Sequence, residues 1–316
     1  MRSGAAAEHD GYFHEAAFYD SDDDFVALVE PFLRDGVAAG EPTLVACAER
    51  NTALLREAVG DLDGIAFVPG EQQYRSPGFT VAAYRAMFGS LVAGGASQIR
   101  VIGDVPHPGV GVPWDGWARY EAAINHAYDD FPLWGLCPYD TRTTPDHVLE
   151  EVQRTHQWLA SESGHHRNHG YLDPRLVLQQ LSPSPDPIEV CTPDLEAVDP
   201  TPASARHLVE ALAQGTDLEP SSVANLVLAV SEVVTNSIRH GEPPRIMRAW
   251  SERDRVVVTV KDGGPGLADP LTGLLEPDPE QPSGRGMWIV HQVCSDVGLR
   301  TEADGFTVRL CAGRPF

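Results

Sequence analysis

Two hydrophobic rhythms alternate along the first half of the chain. Short continuous apolar runs at residues 16–19, 44–48, 65–68, 99–103 and 133–137 read as strands. Between them, apolar residues three and four apart predict helices from Ser21, near 52–59, and over 79–92, 114–128 and 145–161. The first helix is the best marked. Ser21 is an N-cap, and Asp22, Asp23 and Asp24 fill the first turn, where the helix dipole favours acids. Phe25, Leu28, Val29, Phe32, Leu33 and Val37 form its apolar stripe, and Gly40 closes it. Pro145 suits the first turn of the last one. Continuous apolar strands alternating with amphipathic helices predict an α/β unit whose largely parallel sheet is covered on both faces.

The rhythm breaks at Leu181-Ser182-Pro183-Ser184-Pro185-Asp186-Pro187, where alternating prolines favour extended chain and block regular pairing. Beyond it, helices are expected at 203–213 and 222–239, strands at 245–250, 256–261 and 306–310, and a further helix at 287–297. No repeat of solenoid period occurs. The expected organisation is a first domain over 12–163, a linker over 164–187 and a second domain over 188–316.

A length of 316 residues suits two domains rather than one core. The net charge of -23 disfavours nucleic-acid or anionic-membrane binding, since phosphate contacts need Lys and Arg. Five cysteines with no C-x-x-C pair point to a reducing compartment rather than a disulfide framework. The first twelve residues are small and polar, and no apolar run approaches the ~20 residues of a membrane helix. The expectation is a cytoplasmic protein that works on protein partners.

The most informative stretch is Glu232-Val233-Val234-Thr235-Asn236-Ser237-Ile238-Arg239-His240-Gly241. Glu232 and Asn236 stand four apart on a helix and share a face. One offers a carboxylate that can take a proton, the other an amide oxygen that can ligate Mg²⁺. Asp262-Gly263-Gly264-Pro265-Gly266 follows at a strand end, where a carboxylate can accept the exocyclic amine of adenine and glycines admit a flat base. Gly284-Arg285-Gly286 precedes a helix whose free N–H groups and dipole favour phosphate, with Arg285 adding charge. Each feature has a plainer reading. Glu232 can be a solvated helix acid, His240 a C-terminal cap, and Arg285 a solvent-facing arginine.

These three boxes, in this order, resemble those of the GHKL (Bergerat-fold) ATPases, and among them the anti-sigma-factor serine kinases of the RsbW and SpoIIAB type. The resemblance covers 203–312 and implies a two-layer α/β sandwich binding Mg·ATP. It implies Glu232 as general base and Asn236 on Mg²⁺. His240, Asp262, Gly264, Gly266, Gly284, Arg285 and Gly286 would lie around the nucleotide, and Thr307 would stand near adenine from the last strand. Residues 267–283 would be a lid; they carry Pro270, Pro277, Pro279 and Pro282 with Glu276, Asp278 and Glu280, and a mobile segment is expected. The lid has no aromatic box, and no helix with an H-E phosphoacceptor precedes the domain, which favours the anti-sigma class over a histidine kinase.

The first domain resembles the MEDS sensory domain. The matching residues are His14-Glu15-Ala16-Ala17-Phe18-Tyr19-Asp20-Ser21, Phe32-Leu33 leading to Gly36 and Gly40-Glu41-Pro42, Arg100-Val101-Ile102-Gly103-Asp104, Tyr120-Glu121-Ala122-Ala123-Ile124-Asn125, and Leu136-Cys137-Pro138-Tyr139-Asp140. It implies a RecA/KaiC-like α/β core used for sensing. After the second strand the turn is Glu49-Arg50-Asn51-Thr52, with no phosphate-loop glycine or lysine, so this domain is not expected to hydrolyse ATP. Ligands of open α/β sheets gather at strand carboxyl ends. Asp104, Cys137, Tyr139 and Asp140 are expected there, with His14 and Tyr19 flanking the first strand, as candidates for a small-molecule pocket. Cys137 also reads simply as a buried small residue. His165, His166 and His169 form a local cluster that Gly164 and Gly170 mark as an exposed loop rather than a metal site.

The combined expectation is a sensor fused to an anti-sigma-type kinase. It would transfer phosphoryl from Mg·ATP to a serine or threonine of a STAS-type anti-anti-sigma protein and would sequester a sigma factor. The alternatives are a nucleotide-loaded switch that only binds partners, and a second domain that has lost ATP and serves dimerisation. Members of this ATPase class often form homodimers, although no interface is legible in the sequence.

Overall fold

The computed structural model describes residues 2–181, 183–277 and 284–314, which fall into two compact units. The first carries β1 (Phe13–Tyr19), α1 (Asp22–Ala38), β2 (Thr43–Ala46), α2 (Glu49–Val59), β3 (Ile65–Phe67), α3 (Gly70–Gln73), α4 (Pro77–Ala93), β4 (Ile99–Gly103), α5 (Asp115–Ala127), β5 (Leu133–Asp140), α6 (Asp146–Thr155), β6 (Trp158–Ser161) and β7 (Gly164–Arg167). Its seven strands run in the order β3-β2-β4-β5-β1-β6-β7, parallel except for β7 against β6. Ser21 caps α1 as its sequence predicts, accepting from the Asp24 amide at 3.1 Å. Phe25, Val29, Phe32 and Leu33 of α1 pack with Leu55 and Val59 of α2 on one face of the sheet, against Phe13, Ala17, Tyr19, Val45, Ile102 and Leu136.

The helix expected over 145–161 is shorter. It stops at Thr155, and Trp158–Ser161 pairs with β1 in parallel. The chain then turns back as β7, so His165 and His166 lie on an edge strand rather than in a loop. Periodicity missed this hairpin because its residues (Trp-Leu-Ala-Ser and Gly-His-His-Arg) lack a clear period of two.

The second unit follows α7 (Pro174–Gln180) and contains β8 (Leu195–Val198), α8 (Pro202–Ala213), α9 (Pro220–His240), β9 (Ile246–Ser251), β10 (Arg255–Asp262), α10 (Arg285–Val293), β11 (Asp296–Glu302) and β12 (Gly305–Gly313). The antiparallel sheet runs β11-β12-β10-β9-β8. One face buries Val256, Val258, Val260, Phe306, Val308 and Leu310 against α8, α9 and α10. Val297 was expected at the end of a helix. The helix ends at Val293, and Val297 belongs to β11, paired with Leu310. By length and composition α9 could cross a membrane. Here Leu226, Ala229, Val230, Val233 and Val234 lie in the domain core.

Part of the expected linker is structured. Asp186 caps a short 3-10 helix, Pro187–Val190, with its side chain accepting from the Ile188 amide at 2.9 Å. Ile188 joins Trp250, Val257 and Cys311 on the sheet face opposite the helices. A buried Arg255–Asp186 pair at 3.1 Å, an Arg300–Glu189 pair at 2.8 Å and an Arg309 bond to the Ser184 carbonyl at 2.7 Å pin the segment down. The proline pattern read as a spacer is a strap over the sheet.

Candidate functional site

In the second unit, the long helix α9 delivers Glu232 and Asn236 to the start of α10. A Cβ placed on Gly286 would fall 2.7 Å from Glu232 Oε2 and 3.3 Å from Asn236 Nδ2. The two polar side chains therefore lie against the first turn of α10, and the missing side chain at 286 makes the close approach. Gly284 is the N-cap with φ of 94°, a conformation that favours glycine, and it supplies no capping side chain. The start of α10 carries the positive end of the helix dipole, which attracts an anion. Arg285 is exposed at the same end.

Asp262 ends β10 on the helix side of the sheet and is buried. Its Oδ1 accepts from the Gly264 amide at 2.8 Å, which fixes the carboxylate. A Cβ on Gly241 would overlap that carboxylate, and one on Gly264 would come within 2.8 Å of Oδ1. Gly266 similarly abuts the ring of Phe306. Glycines thus line the end of α9 and the loop after β10, leaving the backbone bare around one buried acid.

Two predicted residues stand apart. Thr307 is on the opposite sheet face, with Arg309 and Cys311, because alternate residues of β12 point to opposite sides. Its hydroxyl bonds Glu302 Oε2 at 3.2 Å, so it does not join Asp262. His240 is the exposed last residue of α9. The helix end is instead capped by Arg245, which donates to the carbonyls of Ser237 at 3.0 Å and Gly241 at 3.4 Å. Of the expected lid, Asp278, Pro279, Glu280 and Pro282 lie outside the described residues. The described part forms tight turns with Leu271 and Leu274 buried, and Gly273 sits against Met287 and His291 of α10.

In the first unit the candidate residues separate into two groups. At the carboxyl ends of the strands, Asp104 Oδ2 accepts from the Ala48 amide at 3.0 Å and from Asn51 Nδ2 at 2.9 Å. Asn51 also reaches the Tyr19 hydroxyl at 3.2 Å. Side chains thus fill the turn where a phosphate loop would stand. Burial, outweighing these bonds, pushes the Asp104 carboxyl up to about 6. Asp140 pairs with Arg142 at 2.7 Å.

The second group is in the core. His14 and Cys137 meet Glu121 and His156, and all four are buried. Burial pushes both imidazoles down to about 3 and raises the Glu121 carboxyl and the Cys137 thiol. Cys137 also lines a cavity of about 20 Å³ walled by Tyr12, Tyr74, Tyr84, Tyr120 and Tyr128. Glu121 and Asn125 stand within the resembling motifs, but His156 carries no sequence signal. Its role comes from a long-range contact. His165, by contrast, is engaged by buried Glu15 at 2.7 Å, which raises its pKa, and His166 bonds Ser163 at 2.9 Å.

Two family models match the chain, one in each unit. Residues 13–157 match the model of the MEDS domain, the methanogen/methylotroph, DcmR sensory domain. Residues 196–312 match that of the histidine kinase-like ATPase domain. Among solved structures, the chain is similar to the mycobacterial sensor histidine kinase MprB, at 18% identity over 39% of this chain and 99% of that one, with a TM-score of 0.26. It is also similar to the histidine kinase domain of the E. coli osmosensor EnvZ, at 23% identity over 40% and 92%, with a TM-score of 0.24. No curated protein matches the chain.

Proposed function

We propose that this chain, a MEDS sensory domain joined to a histidine kinase-like ATPase domain, is a signal-controlled protein serine/threonine kinase of the anti-sigma-factor type. Its reaction is transfer of the γ-phosphoryl of Mg·ATP to a serine or threonine hydroxyl of a STAS-type anti-anti-sigma protein. The same domain sequesters a sigma factor until its partner changes, and the chain acts in the cytoplasm. The observation that carries the reading is the packing of Glu232 and Asn236 against Gly286 at the first turn of α10.

The residues fit Mg·ATP. Asp262, held by the Gly264 amide, is an acceptor for the adenine amine and would disfavour guanine. The first turn of α10 and Arg285 suit the phosphates. Asn236 offers an amide oxygen to Mg²⁺, which neutralises charge on the transferring phosphoryl. Glu232 takes the proton of the attacking hydroxyl, and positioning does the rest. Between β7 and β8 the described residues hold only α7, of seven residues, and one 3-10 turn. That short connection supports an acceptor on a partner rather than on a helix hairpin of this stretch.

The test is phosphotransfer from labelled Mg·ATP to candidate STAS proteins with the full chain. Glu232→Gln is expected to lower transfer by about 10²-fold or more while nucleotide still binds. Undiminished transfer would remove the base assignment. Wild-type binding without transfer to any candidate would replace the kinase with a nucleotide-loaded switch.

A further inference from the structure

The core tetrad of the first unit presents several acceptors and too few donors. Asn125 Nδ2 donates to the carbonyls of Glu121 at 2.9 Å and Thr155 at 2.8 Å, which orients its amide and leaves Oδ1 as acceptor. That oxygen lies 3.0 Å from His14 Nδ1, so the His14 proton is on Nδ1 and the Nε2 lone pair faces inward. His156 Nδ1 lies 2.9 Å from the Val152 carbonyl, which can only accept, so its Nε2 also presents a lone pair. Glu121 Oε1 accepts from the Tyr139 hydroxyl at 2.8 Å, leaving Oε2. Glu121 Oε2 and His156 Nε2 are buried with no hydrogen-bond partner.

Hydrogen bonding satisfies only part of this cluster. His14 Nε2 and His156 Nε2 stand 3.4 and 3.6 Å from Glu121 Oε2, too far for good hydrogen bonds. Cys137 Sγ stands 3.6 Å from His14 Nε2, where the thiol can donate to the ring nitrogen. All four ligand atoms lie within 4.8 Å of one another. Bonds of ~2.0–2.3 Å to a central tetrahedral cation place neighbouring ligand atoms roughly 3.3–3.8 Å apart. Three of the six edges already fall in that range.

We infer that His14, Glu121, Cys137 and His156 bind one divalent transition-metal cation of the zinc class in the core of the sensory unit. The donor set is two imidazole nitrogens, a carboxylate oxygen and a thiolate. A dication with one carboxylate and one thiolate is neutral overall, as a buried site requires. Binding releases the thiol proton and any proton on Glu121, with no change of oxidation state. The outer contacts from Asn125, Val152 and Tyr139 hold the ligands in place. Four protein ligands leave no open position, so the cation ties β1, α5, β5 and the end of α6 together. It does not act as a catalyst.

Because the site is fully enclosed, the cation must enter as the chain folds. The full chain is therefore produced in zinc- or cobalt-supplemented medium, dialysed, and analysed for metal. About one equivalent per chain is expected, and the cobalt form should show intense tetrahedral d–d bands with a thiolate-to-cobalt charge-transfer band. Cys137→Ser, nearly isosteric, should lose the charge-transfer band. His156→Ala should lower metal content at least several-fold. Zinc should raise the melting temperature of the wild type and not of these variants. A native-like wild type carrying under about a tenth of an equivalent would overturn the inference. So would a charge-transfer band that survives Cys137→Ser, since the thiolate would then come from another cysteine.

Discussion

Gly286 shows how one absent side chain organises a site. Its backbone is where Glu232 and Asn236 meet α10, and any Cβ would enter the carboxylate's space. Asp104 shows what burial does to a single acid. Its Oδ2 takes two hydrogen bonds, yet burial outweighs them and favours the protonated carboxyl. With the folded value pushed to about 6 from the ordinary 3.8, the folded state holds the proton longer than the unfolded chain. The stabilising contribution is full below about pH 4 and is lost as pH rises through about 6. Denaturation midpoints of the wild type minus those of Asp104→Asn should therefore fall between pH 4 and pH 7. A flat difference would show that Asp104 titrates normally.

At the scale of elements, the strap is the least expected feature. Asp186 is buried against Arg255 and caps Pro187–Val190, so it supports both the sheet face and the turn. Removing one partner of such a buried pair is expected to weaken the docked segment by about 3 kcal/mol. Asp186→Ala should make the amides of 186–191 exchange with solvent at least tenfold faster while those of α9 stay protected. Equal protection in both proteins would mean that the strap holds without the pair. This element also marks what the sequence conceals. Strong patterns were legible: the Ser21 cap, the stripe of α1 and the apolar strands around it, and the helix carrying Glu232 and Asn236. The docked prolines, the β6–β7 hairpin and β11 were not, because their residues gain order from distant partners rather than from local period. The site divides in the same way. Glu232, Asn236 and Gly286 meet as their spacing and order suggest. Thr307 turns away because pleat parity, rather than position in the last strand, decides its face. The core tetrad is drawn from β1, α5, β5 and the end of α6, so no linear motif announces it.

At the scale of the whole molecule, the chain joins two units with different equipment. The unit that matches the MEDS model has no phosphate-loop motif and fills that turn with Asn51, Asp104 and Tyr19. The ATPase-like unit concentrates its bare backbone and acids at α9, β10 and α10. The proposed nucleotide chemistry therefore belongs to the second unit, and the proposed sensing to the first. Calorimetric titration of the full chain with Mg·ATP tests that assignment most directly, with Mg·GTP and Asn236→Ala as controls. One Mg·ATP site per chain is expected, with little or no binding of Mg·GTP and at least tenfold weaker Mg·ATP binding in Asn236→Ala. Absence of Mg·ATP binding by the wild type, or equal affinity in Asn236→Ala, would contradict it.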